Sequence, residues 1–248
     1  MSGVHSYVDA NDITGNNEWK YKIEAEPIFS TGRSEYAGQA IGLIVADTQE
    51  IALAAAKKVK VSYDNFGPIV LDLEESINDS ANVTSGGYAF SYGNADGELA
   101  AADIVVSGRF KMGSQYHFYM ETIVCISKPA DDGFDLELPT QDMATVANVV
   151  SKSLNIPSNR YVACIKLWNL VIYFSKISNK FHEFFSINIG VKRLGGAYGG
   201  KIECPTLVAC ATTIAANKVK RPVRLALNLE DTMCLFGKRT PYMFDYQV

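Results

Sequence analysis

A run of four glycines within six residues constrains this chain more than any other feature of its sequence. The run lies between Arg193 and Lys201 and reads Arg-Leu-Gly-Gly-Ala-Tyr-Gly-Gly-Lys. Glycine is used where the backbone must adopt positive φ or come close to another group. Two glycine pairs around one Ala-Tyr pair therefore predict either backbone N–H groups held against a ligand, with Tyr198 facing the same site, or a tight turn between two strands.

The same run resembles the start of a phosphate-binding loop, in which Gly-Lys follows a first glycine after four intervening residues. Gly195 and the pair Gly200-Lys201 have this spacing. The phosphate-binding pattern then requires Ser or Thr to hold Mg²⁺, whereas this chain has Ile202. The sequence therefore favours a ligand other than a nucleoside triphosphate.

Several further motifs lie before and after the glycine run in a fixed order. They are Tyr36–Gly42, Gly113–Thr122 (Gly-Ser-Gln-Tyr-His-Phe-Tyr-Met-Glu-Thr), Pro139–Asp142 (Pro-Thr-Gln-Asp) and Arg221–Arg224 (Arg-Pro-Val-Arg). Together with the glycine run, these motifs resemble the molybdenum hydroxylases, the family of aldehyde oxidase and xanthine dehydrogenase. The resemblance covers about residues 3–248 except for one stretch, and it implies a fragment of a homodimeric oxidoreductase.

The fold that this resemblance implies is α+β. A partial hammerhead-like α+β domain is expected at residues 1–80 and a linker at 81–98. Residues 99–248 are expected to form the N-terminal part of a molybdopterin-binding domain. The hydrophobic pattern itself predicts strands at 40–46 and 59–63, and helices at 49–58, 145–154 and 205–216.

Residues 166–191 interrupt the resemblance. Ile165-Lys166 and Val191-Lys192 both match the family's Val-Lys that directly precedes Arg-Leu-Gly-Gly, which suggests that the residues between them are inserted. A retained or mispredicted intron would explain the segment. The alternative is a genuine surface insertion, since loops tolerate added length at small entropic cost. Because such an insertion would expose several aromatic side chains and risk aggregation, we favour the intron.

The resemblance also implies which residues contact the cofactor. Gln141 corresponds to the family glutamine that hydrogen-bonds an oxygen ligand of molybdenum, and an amide suits this role because it offers a donor without a pKa. Gly196, Ala197, Tyr198 and Gly199 correspond to the loop whose backbone amides face the molybdopterin. Because the pterin itself ligates the metal, no direct protein ligand to molybdenum is expected.

Two positions are expected to line the substrate pocket. Tyr198 stands where xanthine dehydrogenases have Phe, and Ile202 stands where they have the Glu that hydrogen-bonds the purine. Ile cannot form that hydrogen bond, and Glu203 would point elsewhere because it is one residue later. The resemblance therefore implies a small-molecule aldehyde or N-heterocycle as substrate, and it favours aldehyde oxidase over xanthine dehydrogenase.

The family oxidises its substrate at the molybdopterin centre and passes the electrons through 2Fe-2S clusters to FAD. The resemblance assigns those clusters, the FAD and the general-base Glu to parts of the full-length protein outside these 248 residues. No catalytic residue is therefore expected within this chain, and the chain alone is expected to be inactive. His117 and Glu121 could form an acid–base pair, but within the family motif we expect them to be structural.

The composition excludes several classes of partner. The net charge is −4 and no basic cluster is present, which argues against a nucleic-acid partner. The chain lacks an apolar run of about 18 residues and a secretory signal, so we expect a cytoplasmic protein without a membrane partner. The five cysteines form no Cys-x-x-Cys pair and fit reduced thiols. Two alternatives stay open, a xanthine dehydrogenase-like fragment and a non-catalytic truncated partner of full-length subunits.

Overall fold

The computed structural model describes most of the chain, namely residues 1–21, 24–64, 67, 69–78, 89–131, 133–156, 161–167, 170–175, 186–235 and 239–248. Within these residues the strands are β1 (Val4–Val8), β2 (Glu18–Tyr21), β3 (Glu24–Pro27), β4 (Leu43–Ala46), β5 (Ser107–Met112), β6 (Val124–Ala130), β7 (Gly133–Glu137), β8 (Tyr161–Leu167), β9 (Leu170–Ser175), β10 (Ser186–Val191), β11 (Val223–Ala226) and β12 (Tyr242–Gln247). The helices are α1 (Gln49–Ala56), α2 (Leu73–Asn78), α3 (Ala95–Ala101), α4 (Met143–Ser153), α5 (Gly200–Val219) and α6 (Leu229–Leu235).

The chain folds into two compact units. The first unit combines residues 1–59 with 117–237, and the second combines residues 60–116 with 238–248. The N-terminal segment belongs to the first unit because it bonds directly to the end of α4: Gly15 N–H donates to Ser153 O over 2.9 Å, and Thr14 Oγ1 donates to Leu154 O over 2.9 Å. The sequence-based domain boundaries at 80 and 99 stay predictions.

A six-stranded sheet forms the centre of the first unit. Its strand order is β11-β6-β7-β10-β8-β9. The strand β10 is parallel to both of its neighbours, β7 and β8, whereas the other pairs in the sheet are antiparallel. The helices α4 and α5 contact each other and the sheet, so the buried side chains lie between one helical layer and one face of the sheet.

The two long helices form for reasons visible in their sequences. Asp142 caps α4 by accepting a hydrogen bond from the Thr145 N–H, and the helix buries a stripe that includes Val146, Val149 and Val150. The helix α5 is buried over most of its length, and the hydroxyl of Thr212 bonds to the Val208 carbonyl one turn earlier, which satisfies a buried polar group. The predicted helices at 145–154 and 205–216 are confirmed, and α5 begins five residues earlier than expected.

Between residues 40 and 64 the structure agrees with the sequence-based prediction in two elements and disagrees in one. The strand expected at 40–46 is β4, which pairs with β1, and the helix expected at 49–58 is α1, capped by Thr48. The strand expected at 59–63 is wrong, because residues 59–64 form no strand. Val59, Val61 and Tyr63 are exposed, so the alternating pattern there faces no partner strand that could complete a ladder.

The second unit contains a two-stranded antiparallel ribbon made of β5 and β12. One face of the ribbon carries Phe110 and Phe244, whose ring centroids lie 6.5 Å apart. The opposite face carries Arg109, which donates to both carboxylate oxygens of Asp245 and also pairs with Glu74. Cross-strand pairs of this kind are the main stabilisation available to a two-stranded ribbon.

The segment 166–191 is only partly described. Its last six residues form β10, at the centre of the sheet, and the backbone of Ile165 in β8 lies opposite Val191 in β10. The two Val-Lys-like positions noted in the sequence are therefore side by side on parallel strands. Residues 168–169 and 176–185, with Trp168, Phe184 and His182 among them, lie outside the described residues. The inserted character of the segment stays a prediction.

Candidate functional site

The sheet topology brings two distant loops to one place. The parallel strands β7 and β10 are neighbours, and each is followed by a loop and then a helix, α4 after β7 and α5 after β10. The Leu138 N–H donates to the Gly190 carbonyl over 3.3 Å just beyond the paired residues. Because ligands of such sheets bind outside the carboxyl ends of parallel strands, the loops that carry Gln141 and the glycine run form the candidate site.

Gln141 is fixed against the start of α5 by two hydrogen bonds to Lys201. The Gln141 N–H donates to the Lys201 carbonyl over 2.8 Å, and the Lys201 N–H donates to Gln141 Oε1 over 3.3 Å. A backbone N–H can only donate, so the side-chain atom that it contacts must be the oxygen. The NH₂ group of this exposed side chain is left as a donor for a ligand.

The glycine run forms a turn with unused backbone donors. Gly196, Tyr198 and Gly199 have positive φ values of 91°, 52° and 89°. Across the described part of the chain, the N–H groups of Gly196, Ala197, Tyr198 and Gly199 find no hydrogen-bond acceptor. Successive amides in left-handed turns form concavities that bind anions and other acceptors. A Cβ on Gly199 would meet nothing within 4 Å, so the space in front of the turn is open.

The amides on either side of this turn are already used by the protein. The Gly195 N–H donates to Glu121 Oε2 over 2.9 Å. After the turn, the Gly200 N–H donates to the Ala197 carbonyl over 2.8 Å and the Ile202 N–H donates to the Gly199 carbonyl over 3.3 Å. The free donors are therefore confined to residues 196–199, the four positions that the sequence singles out.

Two of the four glycines serve packing and not ligand access. A Cβ on Gly195 would lie 2.7 Å from the Cβ of Glu121, and a Cβ on Gly200 would lie 2.8 Å from Cγ of His117. These distances are too short for any side chain to be accommodated without movement. His117 and Tyr119 stack with ring centroids 6.3 Å apart, and this pair forms the surface on which Gly200 rests.

Lys201 does not point toward a ligand. Its side chain is fully buried, Nζ lies 2.6 Å from Glu121 Oε2, and Nζ also lies 4.7 Å from the centre of the Tyr119 ring. A phosphate-binding lysine must instead reach an exposed anion from the same side as the loop amides. The structure therefore contradicts the phosphate-binding interpretation of the glycine run.

Tyr198 and Ile202, the two residues expected at the substrate pocket, differ in their surroundings. Tyr198 is 75% exposed beside the free amides, whereas Ile202 is half-buried in the first turn of α5. Glu203 is also half-buried. The pocket roles of Tyr198 and Ile202 stay predictions.

Three ionisable side chains near the start of α5 have raised pKa values. Burial, and then the charges of Glu203 and Glu26, raises the pKa of the Cys204 thiol to about 12. Burial, followed by Glu26, raises the pKa of Tyr36 to about 12. The pKa of Tyr119 is also raised, chiefly by burial. None of these three groups ionises near neutral pH.

Two further features are absent from the described residues. They contain no group of three or more His, Cys, Asp or Glu side chains that could hold a metal ion. No helix in that part of the chain has the length and apolar character needed to cross a lipid bilayer.

Comparison with known families identifies the chain. The aldehyde oxidase and xanthine dehydrogenase a/b hammerhead domain matches residues 1–66, and the molybdopterin cofactor-binding domain matches residues 77–166 and 183–248. The chain belongs to the aldehyde oxidase and xanthine dehydrogenase family. The family predicted from the motifs is thus confirmed, and so is the cofactor class, since the second domain is defined by binding molybdopterin.

Relatives of known name agree with this assignment. The chain is 30% identical to human aldehyde oxidase over 249 residues and 29% identical to the xanthine dehydrogenase of Drosophila pseudoobscura pseudoobscura over 250 residues. Each comparison covers 100% of this chain and 17% of the relative, so the chain spans about a sixth of the length of the curated relatives it matches.

A solved structure confirms the fold. The aldehyde oxidoreductase from Desulfovibrio desulfuricans superimposes with a TM-score of 0.75 at 18% identity, over 100% of this chain and 26% of that chain. The expected α+β fold of the molybdenum hydroxylases, a hammerhead region followed by a molybdopterin-binding region, is confirmed.

The residues of the turn fit a molybdopterin of this family. A pterin cofactor with a phosphate and an oxygen-ligated metal presents several acceptor atoms, and the site offers the complementary set, four unpaired amides at residues 196–199 and the NH₂ group of Gln141. No atom lies within 4 Å of the position of a Gly199 Cβ, so the backbone of the turn is open to a ligand at that point.

Sequence reasoning missed one element of the site, the ion pair between Glu121 and Lys201. It assigned Glu121 a structural role without a partner and considered Lys201 only as a phosphate-binding residue. The two residues are 80 positions apart, so their pairing has no local signal. The only hint in the sequence is that one family motif contains an acidic residue, Glu121, and another contains a lysine, Lys201.

Proposed function

We propose that these residues form the cofactor-contacting part of an aldehyde-oxidase-like molybdenum hydroxylase, which oxidises aldehydes or N-heterocycles by hydroxylation. The observation that carries the proposal is the row of four unpaired amides at residues 196–199 beside the Gln141 side chain. Molybdopterin, when bound, supplies the metal at which the substrate carbon is oxidised. The protein residues described here bind and orient it.

Each residue has a distinct part in this proposal. The amides of Gly196, Ala197, Tyr198 and Gly199 donate hydrogen bonds to the cofactor without carrying a charge. Gln141 donates from its NH₂ group, because its oxygen is already held by the Lys201 N–H. This division makes Gln141 a directional donor whose protonation state does not change with pH.

The proposed substrate class rests on Ile202 and Tyr198. Ile202 has no hydrogen-bonding group with which to bind a purine, and Tyr198 presents an aromatic ring at the open side of the turn, where it is 75% exposed. Apolar and aromatic walls suit small aldehydes and N-heterocycles. A site built for purine hydrogen bonds would instead lose affinity if its polar partner were absent.

A xanthine dehydrogenase-like function is the second candidate, because the identities to the two groups of relatives are nearly equal, 30% and 29%. The variant Ile202→Glu separates the two candidates in a full-length protein that contains this segment. An aldehyde-oxidase-like site should gain purine turnover only in the variant, whereas purine turnover by the unaltered protein would favour xanthine dehydrogenase.

The remainder of the proposal concerns the full-length protein. Electrons would pass to 2Fe-2S clusters and FAD in a cytoplasmic homodimer, as the family resemblance implies. The 248 residues alone would not turn over aldehyde, since they span about a sixth of the relatives' length. Aldehyde oxidation by the purified chain with molybdenum bound would show this last point to be wrong.

The segment 167–182 is proposed to be foreign to the family domain. The family match stops at residue 166 and resumes at residue 183, so β10 belongs to the matched part. The unmatched gap is therefore shorter than the break at 166–191 inferred from the motifs. Sequencing the mature transcript tests the origin of the segment. An intron predicts a message without these codons, and a message that retains them supports a genuine insertion.

A matched pair of glycine variants tests the cofactor site. Gly199 and Gly32 have φ values of 89° and 92°, and a Cβ on either would meet nothing within 4 Å, so Gly199→Ala and Gly32→Ala carry the same backbone strain. Anaerobic titration of the purified chain with molybdopterin, followed by pterin fluorescence, gives the affinity. Alanine keeps its N–H, but its Cβ would enter the open space at the turn and hold the cofactor away from the amides. We therefore expect binding to weaken about tenfold in Gly199→Ala, the effect of one broken hydrogen bond, and to be unchanged in Gly32→Ala.

The outcomes are separable. Equal weakening in both variants would indicate general strain and would count against a site at the turn. Failure of the unaltered chain to bind molybdopterin would reject the proposed role of residues 196–199.

A further inference from the structure

We infer that Glu121 is a positioning residue, which holds both ends of the cofactor turn so that the amides of residues 196–199 face outward. The inference rests on the proposed function, since it concerns the same turn. It adds a role for a residue that contacts neither cofactor nor substrate. The role depends on a buried ion pair with Lys201.

The first end of the turn is held at Gly195. The Gly195 N–H donates to Glu121 Oε2 over 2.9 Å, and the backbone N–H of Glu121 donates to the Gly195 carbonyl over 3.2 Å. Both polar backbone groups of Gly195 are therefore bound by a single residue. The short distance from a Gly195 Cβ to the Glu121 Cβ, 2.7 Å, shows that only glycine allows this approach.

The second end is held at Lys201. The same carboxylate oxygen, Glu121 Oε2, lies 2.6 Å from Lys201 Nζ. The backbone of Lys201 is bound independently by Gln141, through its N–H and through its carbonyl. Residues 195 and 201 thus have satisfied backbone groups, and the free amides lie only between them.

Burial makes this pair indispensable to the conformation. The Lys201 side chain is fully buried, whereas Glu121 is 33% exposed. An ammonium group in such a place requires a charged or strongly polar partner, and removing the partner of a buried charge is strongly destabilising. Without the Glu121 carboxylate, the buried Lys201 ammonium would lack its counter-charge, and we expect the start of α5, where Lys201 lies, to shift.

Charge-neutralising variants separate positioning from packing. Glu121→Gln keeps an oxygen for the Gly195 N–H but leaves the Lys201 ammonium without a counter-charge. Lys201→Met removes the ammonium and retains the carboxylate. The double variant Glu121→Gln with Lys201→Met removes both charges. The control is Glu137→Gln, which makes the same chemical change in the exposed pair of Glu137 with Lys128, 3.5 Å apart.

The readouts are molybdopterin affinity and amide hydrogen exchange of the Gly195 N–H in the 248-residue chain without cofactor. In Glu121→Gln we expect affinity to fall and Gly195 exchange to rise, each by about tenfold or more, as expected for loss of an interaction with a charged group. The double variant should recover most of both losses because no unpaired charge remains. Glu137→Gln should change neither.

Each outcome decides the matter. Unchanged exchange and affinity in Glu121→Gln, or a double variant no better than Glu121→Gln alone, would overturn the positioning role and leave the proposed function intact. An unaltered chain that binds no molybdopterin would reject the proposed function, whereas the exchange of Gly195 would still test whether Glu121 holds the turn. If Glu121→Gln fails to fold, exchange in Lys201→Met supplies the test, since the Gly195 amide should stay protected there.

Discussion

Gly200 packs against two aromatic rings, and this packing predicts that Gly200→Ala lowers stability, although helix propensity alone predicts the opposite. Gly200 is the first residue of α5, and replacing a helical glycine with alanine usually stabilises a protein by up to about 1 kcal/mol. Here an added Cβ would lie 2.8 Å from Cγ and 2.9 Å from Nδ1 of His117, and 3.0 Å from Cε1 of Tyr119. We predict that Gly200→Ala destabilises the protein.

The magnitude follows from these distances. Carbon atoms in contact are optimally about 3.5–4.0 Å apart, so both rings must retreat by up to about 1 Å. Tyr119 is only 2% exposed and its ring also contacts the Lys201 ammonium, so its retreat disturbs the ion pair behind the turn. Overpacking of this kind costs about 1–3 kcal/mol. After subtracting the gain in helix propensity of up to about 1 kcal/mol, we expect the free energy of unfolding to fall by up to about 2 kcal/mol.

Urea denaturation of two variants measures the effect. The control is Gly190→Ala in β10, where the nearest atoms to an added Cβ are 3.8 Å away. That variant should be neutral or slightly more stable, because alanine loses less backbone entropy on folding. The reasoning is refuted if Gly200→Ala is as stable as the unaltered protein, or if the cost of Gly200→Ala is not reduced when His117 is also replaced with alanine.

Three other predictions concern stability and reactivity. Asp142→Ala removes the cap of α4, in which Asp142 Oδ1 accepts the Thr145 N–H, and should lower the free energy of unfolding in urea by about 1 kcal/mol. Burial raises the pKa of the Cys125 and Cys210 thiols to about 12 from 9.0. The folded state therefore holds these protons more tightly, and stability should be full below pH 9 and fall toward pH 12, by at most about 1.4 kcal/mol per pH unit and thiol. Denaturation at several pH values should show a shallower slope in Cys210→Ala. Iodoacetamide followed by mass spectrometry should label exposed Cys234 well before buried Cys210, and equal rates would contradict the burial of Cys210.

The sequence predicted the elements whose patterns reflect burial on one side. The helix α4 combines a capping Asp142 with a buried stripe, and the strand β4 is a short apolar run between polar segments. The expected strand at 59–63 failed because alternation between apolar and polar residues indicates a strand only if a partner strand is present. Val59 and Val61 remain exposed, so their alternation with polar residues does not correspond to a buried strand face.

The sequence located the turn with the unpaired amides, but it did not reveal the residues that support this turn. The glycine spacing located the turn at residues 196–199, because few residues other than glycine readily adopt positive φ. The glycines at 195 and 200 have a different cause, close packing against Glu121 and His117. Packing between segments some 80 residues apart leaves no periodic or local signal, so a single sequence does not reveal which glycines face a ligand.

One short sequence is thus compatible with two kinds of anion site, and a distant carboxylate decides between them. In a phosphate-binding loop the lysine adds a positive charge to the side on which the amides face. Here the Lys201 side chain is buried against Glu121, so this lysine does not add its charge to the amides of the turn. Such a turn discriminates against a highly charged triphosphate, whose binding needs a counter-charge. Under the proposed function, we expect it to bind a larger group with several hydrogen-bond acceptors, to which the side-chain amide of Gln141 adds a further neutral donor.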